Sequence, residues 1–143
     1  MAAYYMNEGV FDLPEDGFVD RTVHVLTAAH PEQGDVLLVV QRSPLPEGKT
    51  LRELVQGRVD RARGELDGYT IVEEREAAWG GTPALEIAAR WRNEGKVLYE
   101  RQAHFALDAT WMSFTVRSPL ASRAACDGWL SRIQESVRLR DAG

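Results

Sequence analysis

The strongest constraint on this chain lies in its second half, where four strand-like stretches follow one another with only short turns between them. Tyr69 to Ala77 is the first. Gly80-Gly81-Thr82-Pro83 breaks it, and Leu85, Ile87, Ala89 and Trp91 then alternate with Glu86, Ala88 and Arg90. After Asn93-Glu94-Gly95, the set Val97, Tyr99, Arg101, Ala103 and Phe105 alternates with Leu98, Glu100, Gln102, His104 and Ala106. Asp108-Ala109 leads into Trp111 to Arg117, and Pro119 stops that strand. A period of two sends successive side chains to opposite faces of a sheet. Turns this short join only antiparallel neighbours, because a parallel crossover needs about a dozen residues or more.

The first half supplies more strands and one helix. Ala3 to Leu13 is strand-like and ends at Pro14, with Glu15-Asp16-Gly17 as a turn. Thr22-Val23-His24-Val25-Leu26 alternates as a half-buried strand, and His30 to Asp35 reads as a loop. Val36 to Arg42 is a β-branched, near-continuous apolar strand, expected at the centre of its sheet and stopped by Pro44 and Pro46. Thr50 reads as a helix N-cap with Glu53 as its capping-box partner, and Gly68 as the terminator. Between them Leu51, Leu54, Val55, Val59, Ala62 and Leu66 recur at helical spacing. A closing helix covers Leu120 to Leu139, with Ala125, Trp129, Ile133 and Val137 as its buried stripe. This order predicts one α+β domain over residues 1–143: an antiparallel sheet of six or seven strands with two main helices packed on one face.

Composition narrows the function. At 143 residues, 44% hydrophobic and 27% charged, the chain reads as one folded globule. A formal net charge of −5, with acidic and basic residues interspersed, argues against nucleic acid as a partner. The longest apolar run, Val36 to Val40, is far short of the ~20 residues that span a bilayer, so no membrane insertion is expected. The opening MAAYYMNEGVFDLP has neither the basic start nor the apolar stretch of a secretory signal, and cytoplasmic residence is the expectation. Cys126, the single cysteine, can form no intrachain disulfide.

Known catalytic patterns are missing. His24, His30 and His104 are too scattered to propose a metal site, no HExxH or GxSxG is present, and no glycine-rich phosphate loop occurs. Adjacent carboxylates such as Glu73-Glu74 point to opposite faces of a strand. Trp79, Trp91, Trp111 and Trp129 suit core and rim positions better than a ligand stack. The expectation is a non-enzymatic protein without cofactor or metal. Gln102 stands out among apolar neighbours: its amide either faces solvent or offers donors and an acceptor to a bound backbone.

Coverage gives the first positive hint. Val36, Leu38 and Val40 point one way and Leu37 and Val39 the other; Met112, Phe114 and Val116 oppose Trp111. One pair of helices cannot bury all of this, so apolar sheet surface should stay open for a partner.

The segments MNEGVFDLPEDGFVDRTVHVL and WRNEGKVLYERQAHF, followed by a tryptophan-containing last helix, resemble the DcrB-related, PsbP-like domains. Within them the chain is similar to the Eag-type chaperones of the bacterial type VI secretion system. That resemblance implies a homodimer that shelters the N-terminal transmembrane helices of an effector in an apolar groove on its sheet. It further implies that Val23, Val25 and Val39 line the groove and that Gln102 hydrogen-bonds the cargo helix. A second polar groove position, glutamine in some relatives, falls at Arg58 here. Two other readings stand beside it: a PsbP-like scaffold for a folded partner, and a small-molecule enzyme or carrier, which would need a deep enclosed pocket.

Overall fold

The computed structural model describes residues 3–6, 9–12, 14, 21–28 and 36–139. The expected turn at Glu15-Asp16-Gly17 and the loop from His30 to Asp35 lie outside them. In chain order the elements are β1 (Ala3–Met6), β2 (Gly9–Asp12), β3 (Val23–Ala28), β4 (Val36–Pro44), α1 (Leu51–Glu65), β5 (Asp67–Trp79), β6 (Thr82–Asn93), β7 (Lys96–Leu107), β8 (Thr110–Pro119), a 3-10 turn (Leu120–Ser122) and α2 (Arg123–Ser136). β1 and β2 pair as a small separate sheet. The other six strands form one antiparallel sheet in the order β3-β4-β8-β7-β6-β5.

The meander follows its turn chemistry. Gly80 and Gly81, then Glu94 and Gly95, all take positive φ, as does Asp108. Two consecutive left-handed residues match the twist of a tight hairpin. Thr50 caps α1 as expected, its side-chain oxygen accepting from Glu53 N at 3.1 Å. The helix closes at an extended Leu66, with the Leu66 amide donating to Ala62 O, so Gly68 belongs to the start of β5 rather than to the helix end. α2 is shorter than expected because the chain passes Pro119 through the 3-10 turn before the helix proper begins.

One expectation is overturned: the two helices lie on opposite faces of the sheet. Val55 and Val59 of α1 pack on Leu85 and Ile87 of β6, with Leu51, Tyr69, Ile71 and Trp111 around them. Cys126 and Leu130 of α2 pack on the other parity, against Ala84, Ala88, Ala103, Phe105 and Val116. The reason is β6 itself, buried without interruption from Ala84 to Ala89. A strand apolar on both parities needs a layer on each side. Glu86 is 1% exposed for the same reason. β4 is likewise not central but second from the sheet edge, between β3 and β8.

Candidate functional site

Each helix covers only part of its face. α2 sits over β7 and β8, and α1 over β5, β6 and β7. Among the described residues, neither helix lies over the β3–β4 side of the α1 face. Val23 and Val25 are 48% and 60% exposed, and Val25 pairs directly with Val39 across the β3–β4 ladder. Beside this apolar strip runs a trough walled by the helix face of Leu54, Gly57, Arg58, Arg61, Ala62 and Glu65. These positions recur three and four apart, so they form one side of α1, while Val55 and Val59 face the sheet.

Arg58 divides the trough in two. Its Nη2 donates to Gln41 Oε1 at 2.8 Å and its Nη1 to Ser113 Oγ at 3.3 Å, which ties α1 to β4 and β8. Its guanidinium carbon lies 5.6 Å from the centre of the Trp111 ring. Toward the end of α1 is a cavity of about 250 Å³ that includes Val39, Val59, Tyr69, Gln102 and Thr115. Toward its start is one of about 600 Å³ that includes Gln41, Ser43, Leu54, Trp111 and Ser113. Burial pushes the Arg58 guanidinium below its usual range; Glu100 and Tyr69 oppose this, while the charges of Arg117 and Arg61 add to it.

The floor of the trough is a polar ladder that the sequence reading missed as a unit. Glu100, Gln102 and His104 are alternate residues of β7, so all three face α1. Trp111 Nε1 donates to His104 Nδ1 at 3.0 Å. A neutral ring that accepts at Nδ1 carries its proton on Nε2. His104 Nε2 therefore donates to Gln102 Oε1, at 2.7 Å. Gln102 Nε2 in turn donates to Glu100 Oε1. Arg117 closes the row, its Nε and Nη2 both donating to Glu100 Oε2 at 2.9 and 2.7 Å while its guanidinium stacks on Trp91. Burial holds the imidazole neutral, pushing His104 down to about 3, with the Arg58 charge adding to the shift. Burial, then the Glu100 charge, push the Tyr69 hydroxyl up to about 12. Three polar residues in succession at one parity of β7, Glu100, Gln102 and His104, were the available signal for this ladder.

The structure brings Val39, Arg58 and Gln102 to one cavity, with Val25 and Val23 beside Val39 on the same face. Gln102 is only 6% exposed, and both ends of its amide are engaged within the protein. His24 is exposed on β3, and His30 lies outside the described residues. Trp79 and Trp91 are core residues. Cys126 is buried in the α2 core, where burial pushes its thiol up to about 11, so it remains protonated near neutrality. Among the described residues, no three metal-ligating side chains converge, and no helix is long and apolar enough to cross a membrane.

The antiparallel six-stranded sheet with one helix per face is an α+β fold like that of cyanobacterial PsbP. The DcrB family profile matches residues 8–136, so the chain belongs to the DcrB family. No curated protein sequence matches it. Among solved structures it is similar to PA94 of Pseudomonas aeruginosa, a protein of unknown function described as a putative regulator, with a TM-score of 0.84 at 17% identity over 99% of both chains. It is also similar to LpqN of Mycobacterium tuberculosis, involved in cell envelope biogenesis (TM-score 0.66, 13% identity, 90% of this chain and 87% of that one). A third similar structure is the cyanobacterial PsbP of Synechocystis (TM-score 0.54, 14% identity, 94% and 89%). At these identities the likeness is one of fold.

Proposed function

We propose that this protein is a non-enzymatic binding module whose trough, between α1 and the β3–β4 pair, holds an apolar helix of another polypeptide. The observation that carries the reading is the exposed strip: Val23 and Val25 of β3 stand about half-exposed, next to the trough along α1. An apolar helix in water gains about 2.5 kcal/mol for each 100 Å² it hides, and laying it into a groove is a recurrent recognition mode. Membership of the DcrB family, and a fold shared with LpqN, a protein involved in cell envelope biogenesis, fit a binding task.

The finer reading is a cytoplasmic, homodimeric chaperone for the N-terminal transmembrane helices of a type VI secretion effector. It rests on the motif resemblance around "EGVFDLP", "DRTVHVL" and "RQ". β3, at one end of the sheet order with side chains exposed on both faces, is the edge offered for the dimer. The polar ladder favours a second reading, a scaffold for a folded partner, because the polar residues Glu100, Gln102 and Arg117 line the cavity.

Co-expression with a soluble carrier bearing an effector's apolar N-terminal helices tests this. The wild type should hold the carrier in solution as a complex, and Val25→Asp with Val39→Asp should release it to aggregate. Retention by the charged variant refutes the groove assignment. Capture of folded partners that lack any apolar helix selects the scaffold reading.

A further inference from the structure

The larger cavity, at the start of α1, carries a charge pattern opposite to that of the protein as a whole. Arg21, Lys49, Arg58 and Arg61 line it, with Glu53 as the carboxylate among its lining residues, against a net charge of −5 for the chain. Among the described residues, no carboxylate forms an ion pair with any of those four cations. Arg58 is partly buried and, among the described residues, its hydrogen bonds go to the neutral groups of Gln41 and Ser113 and leave guanidinium N–H groups over.

We propose that this cavity binds the carboxylates of an acidic stretch, Asp or Glu, flanking the apolar helix that fills the trough. The proposal rests on the groove reading above and extends it. Arg58 lines both cavities, so a chain lying over Val39 and Thr115 runs on past Arg58 into the cation cluster. An incoming carboxylate relieves the mutual repulsion of Arg58 and Arg61 and adds to the counter-charge that Glu100 supplies from the neighbouring cavity. Elsewhere the surface, net negative, repels an acidic segment, which fixes the direction in which the occupant enters. An extended polyanion such as nucleic acid meets that same repulsion along its length.

Two carriers test it: a soluble protein fused to an Ala/Leu/Gly helix of ~20 residues, flanked at each end by three Glu or by three Gln. At ~50 mM salt the Glu carrier should bind about tenfold or more tightly than the Gln carrier, and the gap should shrink to about threefold or less at ~500 mM. Lys49→Ala with Arg21→Ala, both at exposed positions off the α1 wall, should erase the preference while leaving the Gln carrier's affinity unchanged. Equal affinity for the two carriers, or a preference that survives the double variant, overturns the acidic site and leaves the groove standing. Binding of neither carrier overturns both. Saturable binding of free glutarate without any carrier preference assigns the cavity to a small carboxylate and overturns the polypeptide assignment.

Discussion

On the α2 face of the sheet, Trp79, Phe105 and Phe114 stack within 6.1 Å of one another and seal a dry cluster. On the α1 face, the same strands β7 and β8 carry Glu100, Gln102, His104, Ser113 and Thr115, and part of the surface is left open. Both faces contain buried polar groups, but they are handled differently. On the α2 side, Glu86 Oε1 accepts from Arg75 (Nε at 3.1 Å, Nη2 at 2.9 Å) and from Arg101 Nη2 at 3.2 Å, and its Oε2 accepts from Trp79 Nε1 at 3.1 Å. Arg101 then reaches Asp127 of α2, which also accepts from the Tyr99 hydroxyl at 2.6 Å. That network staples the helix to the sheet. The ladder under α1 instead runs along one strand and stops at a cavity. The lesson is a division of labour: one face holds the fold together, and the other presents a shaped, wettable floor with an apolar margin.

The comparison breaks first at Phe105. Phe105→Ala empties a fully buried site on the sealed face and should cost about 3–5 kcal/mol in denaturant melts, with helix capture unchanged wherever the protein remains folded. A loss under about 1 kcal/mol would mean that the α2 face is not the stabilising one.

Acid should act through the other face. Above about pH 6.5 the His104 ring is neutral both folded and unfolded and contributes no pH dependence. Below that, the unfolded chain takes up a proton that the folded ring, held to about 3, refuses. Stability should then fall by up to about 1.4 kcal/mol per pH unit on the way down toward pH 3. His104→Gln should flatten that part of the slope, and a variant with the parent's slope would show that the ring is not buried neutral.

The smallest effect sharpens the geometry. Gly57 sits within α1 on the trough wall, and an added Cβ there meets nothing within 4 Å. Gly57→Ala should therefore raise stability by about 0.5–1 kcal/mol while narrowing the channel and weakening helix capture. Stabilisation with undiminished capture would place the bound chain away from α1.

Much of the fold was legible because it depends on local chemistry. Period-two alternation and positive-φ turns at Gly80-Gly81 and Glu94-Gly95 delimit the strands, and Thr50 marks the start of α1. The layering was not, because which face a helix covers is decided by long-range packing. Ala84 to Ala89 is apolar enough on both parities to take a helix on each side, and alternation alone hides that. The site was half legible. The parity of Val23, Val25 and Val39 follows from strand period, whereas the engagement of Gln102 by His104 and Glu100 depends on which rotamers close a chain of bonds. The meeting of Arg58 with Gln41 and Ser113 joins residues 17 and 55 positions apart, beyond any local pattern.

Amide hydrogen exchange, with and without the Glu-flanked carrier helix, tests the division of faces most directly. The account predicts new protection in β3, β4 and α1, with β5, β6 and α2 unchanged. Protection centred on α2 or on the β5 edge, with β3 and β4 still exchanging freely, would contradict it.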